Sequence, residues 1–222
     1  MHLSITTKIL FLFIFILGAC QNKETQTLKD IDGNIYRTVK IGNQVWMAEN
    51  LKVTRYKNGD VIPNISVNSD WKYAQTGALC DYKNDTLNVA AYGKLYNWFA
   101  VNDSRNIAPE GWHIPTEAEL DTLINFLKGD TIAAGKLKET GNSHWLTENR
   151  KSDDITGFSA RPGGYRFADG AFHTKGSNGY WWLRNSSYEM YAFTPRLYKL
   201  FADITRDEQY KNYGFYVRCI KD

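Results

Sequence analysis

Histidines are the side chains in this sequence best suited to acid–base or metal chemistry. Beyond residue 20 the chain has three of them, His113, His144 and His173, and none stands in a His-Glu-x-x-His pattern or at another close metal-ligand spacing. We interpret His113, which follows Trp112 just before a helix start, as a structural hydrogen-bonding residue. The sequence also lacks a Gly-x-Ser-x-Gly elbow, a phosphate-binding loop and a dinucleotide fingerprint. We therefore predict no catalytic residue, no metal site and no cofactor.

The N-terminal segment has the composition of an export signal that ends at a cysteine. Lys8 is the only charged residue before position 20, and nine apolar residues follow it, from Ile9 to Leu17. That length is typical of a secretory signal and is about half of what a membrane-spanning helix needs. The segment Leu17-Gly18-Ala19-Cys20 resembles a bacterial lipobox. An ordinary signal peptide with an unrelated cysteine is the alternative.

The lipobox resemblance divides the chain into three parts. It implies a lipoprotein signal peptide over residues 1–19 and lipidation of Cys20 with palmitate-type acyl chains, which would attach the chain to a membrane. Residues 20–29 are polar and aperiodic, so we predict a flexible tether there and a folded domain over residues 30–222. Gln21 is not the Asp that would favour inner-membrane retention. We therefore expect an outer-membrane location in the cell envelope, with exposure at the cell surface left open.

Two further cysteines remain once Cys20 is assigned to lipidation. Cys80 and Cys219 could form a disulfide in an exported protein, closing a loop of about 140 residues. Two buried free thiols are the open alternative. The sequence has no Cys-x-x-Cys pair, so it gives no support to a thioredoxin-type redox site or a thiolate zinc site.

Aromatic residues are the main candidates for ligand binding. Tyr180-Trp181-Trp182 lies in a predicted strand, where adjacent side chains point to opposite faces. If one face is core, the other presents ring surface, and exposed aromatic patches often mark binding sites. We therefore predict ligand contacts by Trp181 and Trp182, with Tyr165 and Arg166 as further candidates after a Pro-Gly-Gly turn. The alternative is that both faces are covered.

The elements that would position these residues begin with a β-hairpin. Residues 35–41 alternate between two strand faces, and Gly42-Asn43 then turns the chain into Gln44–Met47. Tyr92, Leu95, Tyr96 and Phe99 stand at helical spacing, which predicts a helix over about residues 89–101.

Later segments complete an α+β pattern in one domain. Thr116 and Glu119 have the spacing of a capping box, which predicts a helix that ends at Gly129. A short third helix is predicted from Ile132 to Glu139. From about residue 155 glycines alternate with aromatic residues, and residues 214–220 have strand composition. We predict an α+β fold in which two or three helices pack on a Gly/aromatic-rich antiparallel sheet.

Six motifs in order resemble the Fibrobacter succinogenes major paralogous domain. The resemblance covers about residues 30–222, and it implies an exported protein or lipoprotein of the kind found in Bacteroidota and Fibrobacterota. It also implies a distant similarity to C-type lectin-like folds and to formylglycine-generating enzymes. The motifs are Asp30–Tyr36, Trp46–Leu51, Tyr92–Trp98, Gly111–Thr116, Gly157–Arg166 and Gly214–Cys219.

The chain departs from these families at informative positions. Family members often carry a cysteine before the Gly-Trp-His segment that would pair with the C-terminal cysteine, but residues 106–109 hold none. Formylglycine-generating enzymes use two cysteines in their C-terminal part, where this chain has only Cys219. The calcium-binding motifs of C-type lectins, such as Glu-Pro-Asn, are absent as well. These departures therefore favour neither the cysteine-dependent oxidase chemistry of formylglycine-generating enzymes nor a calcium-dependent lectin.

Composition excludes several classes of protein. Of 222 residues, 43% are apolar and 14% aromatic, which is too aromatic for a disordered chain. A net charge of +3 provides no basic field for nucleic acid, so we predict no nucleic-acid partner. Three hypotheses remain. The first is a non-enzymatic, membrane-anchored domain that binds glycan or a cell-surface protein; the others are a divergent formylglycine-generating-like enzyme and a purely structural envelope protein.

Overall fold

The structure, a computed structural model, describes residues 27–146, 149 and 152–222 of the chain. The predicted signal peptide and the lipidation of Cys20 lie outside these residues, so both stay predictions. Within the described ranges, no helix has the length and apolar character needed to cross a bilayer.

The described residues form a mixed, strand-rich α+β structure, in agreement with the predicted class. The α-helices are α1 (Asn68–Lys72), α2 (Val89–Tyr92), α3 (Trp98–Val101), α4 (Glu117–Phe126) and α5 (Asp130–Leu137), and 3₁₀ turns cover Tyr82–Asn84 and Thr86–Asn88. The strands are β1 (Thr27–Lys29), β2 (Ile35–Ile41), β3 (Gln44–Met47), β4 (Leu79–Cys80), β5 (Leu95–Tyr96), β6 (Trp112–His113), β7 (Tyr165–Arg166), β8 (Phe172–His173), β9 (Asn178–Tyr180), β10 (Tyr191–Tyr198), β11 (Ile204–Tyr210) and β12 (Ile220–Lys221).

The largest sheet joins the two ends of the domain. Its five strands are ordered β1-β2-β3-β12-β6 and are paired antiparallel. Ile220 of β12 pairs with Trp46 on one side and with His113 on the other. The N-terminal hairpin, β2 and β3, is confirmed. The glycine- and aromatic-rich region forms two separate antiparallel sheets instead of one, β7-β8 and β11-β10-β9.

The first strand corrects the boundary of the predicted tether. Thr27–Lys29, the last three residues assigned to the tether, pair with β2, and Leu28 lies opposite Tyr36. Leu28 is buried in an apolar cluster together with Tyr36, which explains why this short polar stretch joins the sheet. The folded domain therefore includes residues 27–29.

The helix predicted over residues 89–101 is wrong. The chain forms α2, then the two-residue strand β5, then α3. Gly93 ends α2 with φ 79° and ψ −165°, a conformation that no helix contains. Asn97 then starts α3, since its side-chain Oδ1 accepts a hydrogen bond from Ala100 N at 3.0 Å. The apolar spacing is helical by coincidence, because β5 buries Leu95 and Tyr96 as strand residues.

We expect Gly93→Ala to lower the free energy of unfolding by about 2–4 kcal/mol. A Cβ at this position would lie 2.8 Å from Asn50 Cβ and 2.9 Å from Leu51 O, in addition to the cost of the positive φ. Urea unfolding measures the loss. Gly59→Ala is the matched control, because Gly59 has φ 93° but a Cβ added there would meet no atom within 4 Å. Equal losses in the two variants would show that the close approach at Gly93 has no energetic weight.

The capped helix is confirmed at its predicted start. Thr116 Oγ1 accepts a hydrogen bond from Glu119 N at 3.3 Å, and Thr116 N donates to Glu119 Oε2 at 2.8 Å. The helix α5 follows two residues earlier than predicted, after Gly129. Both helices place their buried residues in the same apolar cluster as Leu197 of β10 and Ile204 of β11. A second apolar cluster joins β1, β2 and α3.

Candidate functional site

Trp181 and Trp182 point to opposite sides of the chain, as strand alternation predicts, but both sides are covered. Trp181 is 6% exposed in the cluster that contains α4 and α5, and its Nε1 donates to Asn50 Oδ1 at 2.8 Å. Trp182 is 0% exposed in the other cluster, and its Nε1 donates to Tyr96 O at 2.8 Å. The predicted ring surface at these two residues is therefore wrong, because each face of this segment is core.

Tyr165 lies half-buried in a group of aromatic rings. Its ring is parallel to that of Tyr213 at a centroid distance of 6.0 Å and edge-on to that of Tyr180 at 5.0 Å. Burial raises the pKa of Tyr165. The residue packs mainly against other aromatic side chains, so the structure gives it a structural role and does not place it in an open site.

Arg166 is fully buried, which contradicts its prediction as a ligand-binding residue. Its guanidinium lies 4.5 Å from the ring centroid of Trp71. Each of its three side-chain nitrogens donates at least one hydrogen bond within the protein. The acceptors are the carbonyl oxygens of Ile65, Ser66 and Gly170 and the side-chain oxygen of Asn68.

Cys80 and Cys219 are free thiols, so the disulfide that the sequence allowed is not formed in the structure. Cys80 belongs to the apolar cluster around α4 and α5, whereas Cys219 belongs to the cluster around β1 and β2. Burial raises the pKa of Cys80 to about 12 and also raises that of Cys219. Of the two alternatives, a disulfide or two buried free thiols, the structure has the second.

His113 connects the end of the chain to the start of α4. Its Nδ1 lies 2.6 Å from Asp222 Oδ1, and its Nε2 lies 2.7 Å from Glu119 Oε1. Because both ring nitrogens are engaged by carboxylates, neither is open to a substrate, which agrees with the structural interpretation of His113. Burial lowers its pKa, but the hydrogen bonds to Asp222 and Glu119 outweigh burial, so the net pKa is raised.

The contacts of His113 with Asp222 and Glu119 predict a pH-dependent contribution to the free energy of unfolding. A raised pKa means that the stabilisation is fully present below the unfolded-state value of 6.5 and is lost as the pH rises through the folded-state pKa. His113→Gln should therefore destabilise the domain most below about pH 6, by about 1 kcal/mol or less because the pair is partly exposed. Urea unfolding of both proteins across this range measures the difference. A difference that grows with pH would contradict the assignment.

The other two histidines have different neighbours. His144 Nδ1 lies 2.6 Å from Glu139 Oε2, and Glu139 Oε1 accepts a hydrogen bond from Arg161 Nε at 2.9 Å. His173 is exposed on β8 beside the ring of Phe167. Within the described ranges, no group of three or more His, Cys, Asp or Glu residues is arranged to hold a metal ion.

A surface cleft of about 660 Å³ contains two aromatic side chains that face solvent, Tyr73 and Tyr210. We call it the aromatic cleft. Its volume is in the range of roughly 300–1,000 Å³ that small-molecule sites occupy. Tyr73 is 73% exposed, Met190 is 59% exposed and Tyr210 is 40% exposed. The lining consists of residues 72–75, which begin at the last residue of α1, with Phe99, Ala168, residues 189–190 and residues 210–212.

The aromatic cleft is backed by packed rings. The ring of Tyr210 lies 4.6 Å from that of Tyr191 and 6.0 Å from that of Tyr213, centroid to centroid. Tyr213 is buried and lies 4.8 Å from Phe167. Tyr210 is thus the exposed end of an aromatic group that continues into the core. A ring held in this way loses little conformational entropy when a ligand covers it.

Side chains of both charges and side-chain amides lie beside these rings. Lys72 Nζ lies 5.2 Å from the ring centroid of Tyr73, and Lys211 Nζ lies 4.3 Å from that of Trp98. Burial lowers the pKa of Lys211. Glu189 supplies one carboxylate, and Gln75 supplies an amide. The cleft therefore offers hydrogen-bond donors and acceptors without a field of one sign.

Sequence reasoning missed this cleft because its residues come from five separate segments. Tyr73 stands in a polar, turn-rich stretch, and Met190 stands in a loop before β10. The alternating burial of β11, in which Tyr210 is the last exposed position, is the single local indication. The exposed Tyr210 at the end of a polar strand is thus a better indication of solvent-facing ring surface than the dense Tyr-Trp-Trp segment.

Comparison with protein-family models assigns most of the chain to a family. The family model described as Fibrobacter succinogenes major domain matches residues 39–221. No curated protein matches the chain. No solved structure matches it either.

Proposed function

Because the chain belongs to the Fibrobacter succinogenes major domain family, we propose that it is an envelope lipoprotein whose folded domain binds a ligand without catalysis. The observation that carries this proposal is the aromatic cleft, which presents Tyr73, Met190 and Tyr210 to solvent, with packed rings behind Tyr210. Aromatic residues and methionine are enriched in binding surfaces. The ligand is a glycan or a protein at the cell surface.

The absence of a catalytic role rests on the state of the reactive side chains. Both nitrogens of His113 are bonded to carboxylates, and burial raises the pKa of the thiols of Cys80 and Cys219. A buried thiol with a raised pKa is a poor nucleophile, because the thiolate is the reactive form. These groups therefore support a binding domain over a divergent formylglycine-generating-like enzyme.

Membrane attachment and the finer fold are parts of the same proposal. Cys20 would carry the acyl chains and hold the domain at the outer membrane, with six residues between it and Thr27 in β1. Two features support a C-type-lectin-like fold. The Gly111–Thr116 segment opens α4, and the late segment that leads into β12 carries Arg218.

The anchor is tested by growing cells with an alkyne-labelled palmitate analogue. The wild-type protein should become labelled and sediment with outer membranes, and Cys20→Ser should lose both properties. Cys80→Ser is the control, because Cys80 is buried and outside the lipobox. Labelling that survives Cys20→Ser would overturn the assignment of the anchor.

The binding function is tested with the whole chain in detergent against separate polysaccharide and protein fractions of the cell surface. We expect saturable binding to one fraction, no change in the ligand's mass, and loss of binding in the double variant Tyr73→Ala/Tyr210→Ala. Conversion of a ligand to product would favour an enzyme. Absence of saturable binding to every fraction would favour a purely structural protein.

A further inference from the structure

Several backbone groups that line the aromatic cleft are hydrogen-bonded within the protein. Tyr73 N donates to Ser69 O at 3.3 Å, and Ala74 N donates to Trp71 O at 3.2 Å. Lys211 N donates to Met190 O at 3.0 Å. A peptide that binds by strand addition needs an unpaired row of backbone groups. The cleft walls supply side chains instead.

The second wall has its carbonyl groups engaged in the same way. Lys211 O accepts from Trp98 N at 2.9 Å, and Tyr210 O accepts from Tyr213 N at 2.9 Å. Asn212 Nδ2 donates to Lys72 O across the cleft at 3.3 Å, which joins the two walls. The recognition surface thus consists of exposed rings and flexible polar side chains on a backbone that is fixed.

The charges lining the cleft are of both signs, with two lysines and one carboxylate. Lys72 and Lys211 are opposed by Glu189, and the ammonium group of Lys211 lies over the ring of Trp98. An acidic polymer would meet the carboxylate of Glu189, and a basic one would meet the lysines. Side-chain donors and acceptors of both kinds suit a ligand rich in hydroxyl groups.

From these three observations we infer that the aromatic cleft binds a neutral carbohydrate chain. A sugar ring has an apolar face of C–H groups, which stacks on an aromatic ring, and a rim of hydroxyl groups, which both donate and accept hydrogen bonds. Tyr73 and Tyr210 supply the rings, and Gln75, Asn212 and Glu189 lie within the same lining to meet the hydroxyls. This inference rests on the proposed binding function and names its ligand class.

The experiment titrates the full chain with neutral oligosaccharides of glucose, xylose and mannose, with oligogalacturonate as the acidic counterpart. We expect at least one neutral oligosaccharide to bind, and Tyr73→Ala and Tyr210→Ala each to weaken binding about tenfold or more. Tyr73 is largely exposed, so its truncation should leave the fold intact. Phe201→Ala is the matched control, since Phe201 is 56% exposed and lines a different cleft.

Each outcome separates this inference from the binding function on which it rests. Preference for oligogalacturonate, or neutral binding that is unaffected by both tyrosine variants, overturns the inference. Binding of a purified surface protein that both tyrosine variants weaken, with no oligosaccharide bound, also overturns it but leaves the binding function in place. If neither sugar nor protein binds, both fail.

Discussion

Replacing Arg218 with methionine is expected to lower the free energy of unfolding by about 3–5 kcal/mol. Arg218 is 3% exposed, and its guanidinium donates to Asn50 Oδ1 at 2.7 Å, to Ser159 O at 3.1 Å and to Phe158 O. Methionine is unbranched like the aliphatic part of arginine, but it is shorter and has no donor, so it leaves these buried oxygens unpaired. Burial lowers the pKa of Arg218, and the carboxylate of Asp154 opposes that shift.

Asn50 connects Arg218 to other parts of the core, so replacing Arg218 should weaken more than its own hydrogen bonds. Its Oδ1 accepts from both Arg218 and Trp181, and its Nδ2 donates to Tyr92 O at 2.7 Å. These bonds join the segment before β12, the segment after β9 and the end of α2. Arg218→Met and Asn50→Ala should therefore be strongly non-additive in a double-mutant cycle.

The measurement for Arg218→Met is urea unfolding followed by tryptophan fluorescence. Arg184→Met is the control, because Arg184 is exposed and its replacement should change the free energy of unfolding by about 0.5 kcal/mol or less. Similar losses in the two variants, or additive effects of Arg218→Met and Asn50→Ala, would show that the buried network contributes little.

Features set by neighbouring residues were predictable from the sequence, and those set by distant contacts were not. The capping box joins Thr116 and Glu119 within one turn, so local spacing identifies it. The break at Gly93 depends on the close approach of Asn50, which is distant in sequence and adjacent only after folding. Helical spacing of apolar residues cannot reveal that contact.

The same distinction accounts for the misplaced binding residues. Arg166 lies just after a Pro-Gly-Gly turn, as an exposed arginine often does, yet most of its acceptors lie about 100 residues earlier in the chain. Trp181 and Trp182 alternate as predicted, but a one-dimensional pattern cannot show that apolar clusters cover both faces. Burial of a strand on two sides is a property of the assembled fold.

The misplaced Arg166 nevertheless bears on the aromatic cleft through α1. Its Nη2 donates to Ser66 O at 3.0 Å and to Asn68 Oδ1 at 3.1 Å, and Trp71 of α1 packs against its guanidinium. The chain leaving α1 forms the wall that carries Tyr73. Arg166 thus positions that wall without touching a ligand.

Arg166→Met should therefore lower stability and loosen the cleft wall together. We expect a loss of about 3–5 kcal/mol in the free energy of unfolding, because buried carbonyl groups lose a charged donor. Under conditions where the variant stays folded, amide hydrogen exchange over residues 67–75 should accelerate and oligosaccharide binding should weaken. Arg166→Lys, which retains the charge but not the planar fork, should show a smaller loss of the same kind.

Arg218→Met is the comparison that separates positioning from general destabilisation. The guanidinium of wild-type Arg218 is buried like that of Arg166. Its partners, Asn50, Phe158 and Ser159, are absent from the lining of the aromatic cleft. At matched global stability, Arg218→Met should leave exchange over residues 67–75 and ligand affinity close to wild type. If both arginine variants loosen the cleft wall equally, Arg166 supports the fold as a whole and has no specific role in holding Tyr73.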